Sequence, residues 1–266
     1  MNFHPTSPIG VFDSGVGGLS VLREIRRALP SDDLLYVADS GFAPYGDQAA
    51  EYIQERSRIV AEYLVGQRVR AIVVACNTAT VVAVERLRSW CPVPVVAMEP
   101  AIKPAVGITR SGVVGVLATS QTLASPSVAR LRGLYGAGAE ILLQACPGLV
   151  EQIEKGEVTS EGTRAMARGY LEPLLAKGAD TLVLGCSHYA FVHELIQDIA
   201  GPEVVIIDPS GAIARELVRR LGVGGAPVEP TRSGDERFVS SGDLMQASRV
   251  ISKLWGREVE VQALPG

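Results

Sequence analysis

Two cysteines lie in settings that could activate a thiol. Cys76 ends the apolar run AIVVAC (71–76) and Cys186 ends TLVLGC (181–186), and small polar residues follow both at once. Backbone N–H groups at the start of a helix favour thiolate over thiol and lower the thiol pKa from roughly 8.5. We therefore expect two reactive thiolates, each lying between a buried strand and a following helix.

Other interpretations of these residues have to be weighed. A lone cysteine at the end of an apolar strand is more often a small core side chain than a reactive group. Two of them in matching settings favour the reactive interpretation, whereas Cys91 and Cys146 lack this setting and are interpreted as structural. His188 is either a structural hydrogen-bonding residue or a group that exchanges protons with the thiolate of Cys186. Zinc fits poorly, because Cys186, His188 and His193 are loosely spaced and there is no CxxC pair.

The composition is typical of a compact α/β protein rather than of a nucleic-acid or membrane protein. The 266 residues carry a net charge of -4, 47% of them are hydrophobic, and no apolar run is long enough to span a bilayer. The beginning of the chain lacks the basic region and long apolar stretch of a signal peptide. We therefore expect reduced thiols in the cytoplasm rather than a disulfide framework.

The elements that would position the cysteines alternate along the chain. The apolar runs that predict strands are IGVF, LLYVA, RAIVVA, PVVAM, GVVGVLA, AEILLQA, DTLVLG and EVVIID, with RFVSS and EVEVQAL in the tail. Segments with helical periodicity, such as LSVLREIRRAL, lie between them. Continuous β-branched runs are typical of strands covered on both faces, so the pattern predicts βαβ units with mainly parallel sheets.

An internal similarity indicates two related halves. IGVFDSGVGGL near the start resembles VGVLATSQTL, and AIVVACNTA resembles TLVLGCSHYA later in the chain. We expect two similar α/β domains related by pseudo-symmetry, the first formed by residues 1–97 and 208–266 and the second by 98–207. The Gly/Pro-rich stretch GVGGAPVEPTRSG (222–234) predicts a flexible loop.

Ligands of open α/β sheets bind beyond the carboxyl ends of the strands. The polar stretches expected there are Asp13-Ser14-Gly15, DSGFAPYGD (39–47), Cys76-Asn77-Thr78 and Cys186-Ser187-His188. The loop DSGVGG (13–18) matches a dinucleotide loop only weakly, since Ser20 stands in place of the third glycine, and its N–H groups could equally bind a carboxylate. None of the four lysines lies in a motif for pyridoxal phosphate, so we expect no cofactor and no metal.

Taken together, these stretches resemble the motifs of the cofactor-independent glutamate racemases. The motifs are Asp13-Ser14-Gly15-Val16-Gly17-Gly18-Leu19, Ala38-Asp39 with Pro44-Tyr45-Gly46, Ala75-Cys76-Asn77-Thr78-Ala79, and Gly185-Cys186-Ser187-His188-Tyr189. The resemblance extends from Ile9 to Ser241-Gly242-Asp243, nearly the whole chain. It implies a bound glutamate between two facing cysteines, in a cleft between the two α/β domains.

The resemblance also implies a role for each matching residue. Cys76 and Cys186 would transfer the protons. Asp13 and His188 would each assist the nearby cysteine. The residues that would bind the substrate are Asp13, Ser14, Pro44, Tyr45, Gly46, Asn77, Thr78, Ser187 and His188. Glu154 matches an acidic residue near the second cysteine, and Thr119 and Thr122 are further candidates for substrate contact.

Two positions depart from the usual pattern of that family. It has threonine where this chain has Ser187, and proline where this chain has Ala190. Serine keeps the hydroxyl, so the binding role is expected to survive. Alanine removes a constraint on the backbone, so the stiffness of the segment after the second cysteine is expected to differ.

The implied activity is the interconversion of L- and D-glutamate by two-cysteine proton transfer at Cα, supplying D-glutamate for peptidoglycan and hence cell shape. The expected protein is a cytoplasmic homodimer that binds a small molecule, with no nucleic-acid or membrane partner. The alternatives are a racemase for another acidic amino acid, such as aspartate, and a non-catalytic amino-acid-binding protein of the same fold. The DSGVGG loop favours glutamate, because aspartate racemases carry a different glycine-rich start.

Overall fold

A computed structural model of the chain describes residues 7–222 and 233–265, so residues 223–232 of the predicted loop lie outside the described residues. The strands are β1 (Ile9–Asp13), β2 (Leu34–Ala38), β3 (Ala71–Val74), β4 (Val95–Ala97), β5 (Val113–Ala118), β6 (Glu140–Ala145), β7 (Thr181–Leu184), β8 (Val205–Ile207), β9 (Glu236–Ser240) and β10 (Val261–Ala263). The helices are α1 (Leu19–Ala28), α2 (Ala50–Gly66), α3 (Asn77–Trp90), α4 (Ile102–Ile108), α5 (Ser120–Leu123), α6 (Pro126–Tyr135), α7 (Leu149–Glu154), α8 (Glu161–Ala176), α9 (His193–Ala200), α10 (Ser210–Leu221) and α11 (Leu244–Trp255). Short 3-10 segments cover Ser40–Phe42, Tyr45–Asp47 and Ser187–Val192.

The strands form two parallel sheets. The first has the order β10-β9-β2-β1-β3-β4 and the second the order β6-β5-β7-β8. The orders β2-β1-β3-β4 and β6-β5-β7-β8 are equivalent along the chain, so the internal similarity of the sequence corresponds to a repeated topology. The prediction of an α/β fold with two mainly parallel sheets is confirmed. The division of the chain into domains at 97/98 and 207/208 stays a prediction.

Buried apolar side chains form a core that both halves share. Successive side chains of a strand point to opposite faces of its sheet, so Val11 and Phe12 of β1 enter different clusters. The cluster that contains Val11 also contains Tyr189 and Leu184 of the second half. This shared cluster packs the two sheets against one another behind the cleft.

The helices of the core show the periodicity expected from the sequence. In α11 the buried residues are Ala247, Val250, Ile251 and Leu254, which lie on one face of the helix. The carboxylate of Asp243 accepts the backbone N–H of Gln246 at 2.8 Å and so caps the first turn.

The strand register brings the polar stretches together. Phe12 of β1 pairs with Val74 of β3, so Asp13 and Cys76 leave the first sheet at the same edge. Leu117 of β5 pairs with Leu184 of β7, so Thr119 and Cys186 leave the second sheet side by side. Residues that follow β1 and β3 therefore lie together at one edge of the first sheet, as do those that follow β5 and β7 in the second.

Candidate active site

Cys76 lies between β3 and α3 and is almost completely buried. Its sulfur accepts the backbone N–H of Ala79 at 3.4 Å, as expected at the start of a helix, and lies 3.4 Å from the hydroxyl of Ser14. The thiol is therefore held by groups from two adjacent strand ends of the first sheet.

The expected lowering of the Cys76 pKa by the helix is wrong. Burial, helped by the negative charge of Asp13, raises the pKa of Cys76 to about 12. The hydrogen bonds from Ser14 and Ala79 act in the opposite direction but are weaker than the cost of desolvating a thiolate. Burial therefore favours the thiol form of Cys76.

Cys186 follows β7 and is also buried, but its setting differs from that of Cys76. The segment after it is the 3-10 turn Ser187–Val192 rather than an α-helix, and no backbone N–H of that turn caps the sulfur. The nearest hydrogen-bonding group is Nδ1 of His188, 3.8 Å from the sulfur. The second thiol is therefore paired with an imidazole, whereas the first is paired with a hydroxyl and a backbone amide.

His188 is connected to Glu154, the last residue of α7. Its Nε2 lies 2.6 Å from Oε1 of Glu154, and His188 is fully buried. Burial alone would disfavour the imidazolium, but the hydrogen bonds to Cys186 and Glu154 raise the pKa of His188 well above its ordinary value. These contacts favour the protonated imidazole, which can donate to the sulfur of Cys186.

Asp13 links the two halves. One carboxylate oxygen accepts the hydroxyl of Ser187 at 2.8 Å and the other accepts the N–H of Gly15 at 2.9 Å. Burial raises the pKa of Asp13, and the positive charge of His188 opposes this shift. The hydroxyl of Ser187 therefore joins the segment after Cys186 to the end of β1, which is the neighbour of the strand that precedes Cys76.

The glycine-rich loop binds a carboxylate of the protein itself. The backbone N–H of Val16 donates to Oε1 of Glu154 at 2.7 Å. A Cβ atom at Gly15 would lie 1.8 Å from Glu154, and one at Gly17 would lie 2.3 Å from Nδ1 of His188. Glycine is needed here because side chains of the other half approach the backbone of this loop closely. The glycines therefore serve contacts within the protein, and the loop needs to match the dinucleotide motif only weakly.

Three threonine hydroxyls form a triangle between the two halves. The Oγ1 atom of Thr78 lies 2.9 Å from that of Thr119 and 3.2 Å from that of Thr122, and the latter two are 3.0 Å apart. The neighbouring Asn77 donates to the carbonyl of Met98 at 3.3 Å, while its buried Oδ1 has no hydrogen-bond partner among the described residues. These groups provide donors and a free acceptor near Cys76.

The segment from Pro44 to Gly46 lies against the threonine triangle. A Cβ atom at Gly46 would lie 2.9 Å from Cβ of Thr119. The hydroxyl of Tyr45 donates to Asp39 at 2.5 Å, and the buried Asp39 also binds Arg56. The sequence gives no signal for Arg56, since an arginine on a helix usually faces solvent.

Residues 7–222 and 233–265 form neither a metal-binding cluster nor a membrane-spanning helix. No three His, Cys, Asp or Glu side chains of these ranges lie close enough to hold a metal ion. No helix of the same ranges is both long and apolar enough to cross a membrane.

Cys146 is buried and Cys91 is half-buried, and both are free thiols.

The chain thus has two parallel sheets of equivalent strand order, with a buried thiol after the equivalent strand of each. Residues 9–217 match the family described as Asp/Glu/Hydantoin racemase. The chain is 52% identical to a glutamate racemase of Methylococcus capsulatus over 97% of this chain and 95% of that protein. The structure of a glutamate racemase isoform of Bacillus anthracis superposes with a TM-score of 0.88 at 30% identity, covering 98% of each chain. A structure of the Escherichia coli glutamate racemase with L-glutamate gives 0.83 at 29% identity, covering 96% of this chain and 97% of that one.

The chain belongs to the Asp/Glu/Hydantoin racemase family. The resemblance found in the sequence motifs is thereby confirmed at the level of the whole chain.

Proposed function

We propose that this chain interconverts L- and D-glutamate by moving protons at Cα between Cys76 and Cys186. The observation that carries the proposal is the equivalence of the two thiols: each follows the corresponding strand, β3 or β7, of two sheets with the same strand order. The hydrogen bond between Asp13 and Ser187 joins the end of β1, the neighbour of β3, to the segment that follows Cys186. The similarity to glutamate racemases over nearly the full length supports glutamate as the substrate.

The chemistry requires two groups because inversion at Cα needs a base on one face and an acid on the other. The thiolate of one cysteine takes the α-proton, and the C–H electron pair stays on the substrate as a carbanion. The thiol of the other cysteine then protonates the opposite face. The two cysteines have exchanged protonation states at the end, which is the starting condition for the reverse reaction.

The groups next to the two thiols can support these proton transfers. Since burial raises the pKa of Cys76, the ammonium group of a bound amino acid would favour its thiolate. A protonated His188 can supply a proton to Cys186 and is itself held by Glu154. We infer that Asp13 assists Cys76, and that Ser14 orients its sulfur.

The polar groups of the cleft match an α-amino acid with a second carboxylate. Oδ1 of Asn77 is a buried acceptor that the substrate ammonium can satisfy. The hydroxyls of Thr78, Thr119 and Thr122 are donors for carboxylate oxygens. Preorganised donors of this kind stabilise the negative charge that develops in the transition state.

Racemisation of L-glutamate, followed by circular dichroism, tests the proposed function. We expect loss of optical activity with either enantiomer of glutamate. Aspartate, alanine and glutamine in the same assay separate a glutamate racemase from one with another substrate. Binding of glutamate without racemisation would identify a non-catalytic binding protein instead.

Turnover in D2O tests the assignment of two bases. We expect product formed in early turnovers to carry deuterium at Cα while the remaining substrate keeps its hydrogen, because the incoming proton comes from a thiol that exchanges with solvent. Mass spectrometry of the separated enantiomers gives this result directly. A product that keeps the original hydrogen at Cα, or deuterium at Cα in both the product and the remaining substrate, would instead indicate a single shared base.

Independence of added cofactors is a further prediction. We expect exhaustive dialysis against a chelator, with no pyridoxal phosphate or flavin added, to leave the racemase activity unchanged, since the proposed proton transfer uses only protein groups. An activity that is lost and that only a metal or an organic cofactor restores would contradict it.

The cellular role is proposed from the family resemblance. We infer that the product D-glutamate serves peptidoglycan synthesis, and that the protein acts in the cytoplasm as a homodimer. Restored growth of a D-glutamate-requiring bacterium tests the first inference, and analytical ultracentrifugation tests the dimer.

A further inference from the structure

A buried ion pair lies beneath the segment that precedes α2. The guanidinium of Arg56 donates from Nε to Oδ2 of Asp39 at 3.0 Å and from its terminal nitrogen to Oδ1 at 2.8 Å. The Asp39 side chain is 0% exposed and that of Arg56 is 13% exposed. Two parallel hydrogen bonds of this kind define the relative orientation of both planar groups.

The segment Ser40–Asp47 wraps around this pair. The carbon at the centre of the guanidinium lies 3.5 Å from the centre of the Phe42 ring, so the cation stacks on the aromatic face. The Tyr45 hydroxyl donates to Oδ2 of Asp39 at 2.5 Å. Asp39 thereby receives hydrogen bonds from α2 and from Tyr45, while Arg56 stacks on Phe42, so the ion pair is attached to the segment on both sides of Pro44.

The position of Tyr45 and Gly46 depends on these contacts. Because the Tyr45 hydroxyl is used by Asp39 and Tyr45 is buried, residues 45 and 46 can offer a substrate only their backbone. Gly46 packs directly against Thr119 of the other half. A small rotation of Tyr45 would therefore move the backbone that lines the cleft.

A buried ion pair contributes little net stability, because desolvation offsets most of its attraction. Its main effect here is on geometry. We propose that Arg56 is a positioning residue for substrate binding, which acts through Asp39 and Phe42 to hold the Tyr45–Gly46 backbone against the cleft. The inference rests on the proposed function, because it assigns residues 45 and 46 to the binding of glutamate.

The variant Arg56→Ala tests the proposal against Arg58→Ala. Arg58 lies on the same helix and also pairs with two carboxylates, but its partners Glu55 and Glu62 are solvent-exposed. For Arg56→Ala we expect the KM for both enantiomers to rise at least about tenfold while kcat stays within about threefold, since substrate binding is lost rather than proton transfer. Arg58→Ala is expected to remain within about twofold of the wild type in both constants, as is usual for exposed ion pairs.

Chemical rescue distinguishes positioning from a general loss of structure. Guanidinium ions at millimolar concentration are expected to lower the KM of Arg56→Ala toward the wild-type value, because the emptied site is partly open to solvent. Sodium chloride and urea at the same concentration should have no such effect. If kcat and KM deteriorate in step with the melting temperature and guanidinium restores neither, Arg56 is a structural residue and the proposal is wrong.

Arg56→Lys provides the decisive variant if Arg56→Ala does not fold. Lysine keeps the charge but loses the paired hydrogen bonds and the stacking, so a rise in KM of about three- to tenfold is expected. A KM equal to that of the wild type in a folded Arg56→Lys protein would overturn the proposal. Calorimetric titration with glutamate measures the same change as a Kd. An inactive wild-type protein would count against the proposed function, whereas the effect of Arg56 on glutamate binding could still be measured.

Discussion

Cys76→Ser and Cys186→Ser are each expected to lower kcat for racemisation at least about a hundredfold, because a positioned acid or base usually contributes 10²–10⁴ in rate. Serine fills the same space, so the fold should be retained. Its hydroxyl has a pKa near that of water, far above that of a thiol, and is therefore a far poorer base than a thiolate. Rates in both directions, measured by circular dichroism, give the result.

The control for these variants is Cys91→Ser, which changes a thiol that is half-buried and lies at the far end of α3. We expect it to retain wild-type activity within about twofold, as is usual for a substitution away from a functional site. Retention of activity within about tenfold in Cys76→Ser or Cys186→Ser would mean that this thiol is not an essential acid or base. The mechanism would then have to be rebuilt around Asp13 or His188.

Gly17→Ala is expected to lower kcat/KM about a hundredfold, because displacement of catalytic groups by about 1 Å can have an effect of that size. The added methyl would lie 2.3 Å from Nδ1 of His188 and 2.5 Å from Oγ of Ser187. Both side chains are buried and hydrogen-bonded, so they must move together with the contact to Asp13. The loss should appear in kcat, since His188 lies beside Cys186.

Gly169→Ala is the matched control, since a Cβ at that position in α8 meets no atom within 4 Å. It is expected to leave activity unchanged and to stabilise the helix slightly, by up to about 1 kcal/mol. A Gly17→Ala enzyme with wild-type kcat would show that His188 tolerates displacement, and its proposed role in proton transfer would have to be abandoned.

Much of the fold follows from local patterns in the sequence. The apolar runs IGVF and RAIVVA have the length and β-branched content of buried strands, and both become neighbours in the first sheet. Parallel strands place the residues that follow them at one edge of a sheet, so Asp13 and Cys76 were expected at the same edge, where the register of β1 and β3 places them. The setting of Cys186 was less predictable, because the residues after it form a 3-10 turn rather than an α-helix.

The rest of the site depends on contacts between residues that are far apart in the sequence. The sequence left open whether the glycine-rich loop binds a dinucleotide or a carboxylate, and the fold supplies the carboxylate from Glu154. Arg56 and Arg58 look alike in the sequence ERSR, yet only Arg56 meets a buried carboxylate. Such pairings depend on how the sheets and helices pack, so local periodicity does not reveal them.

The sequence by itself determined the strand and helix pattern, the location of both thiols at strand ends and the family resemblance, because these depend on residue types that are close together in the chain. Only the tertiary structure decided the directions in which the pKa of Cys76 and the pKa of His188 are shifted. The physical reason is that desolvation and charge act through space. The pKa of Cys76 depends on burial by both halves and on the charge of Asp13, and that of His188 depends on Cys186 and Glu154.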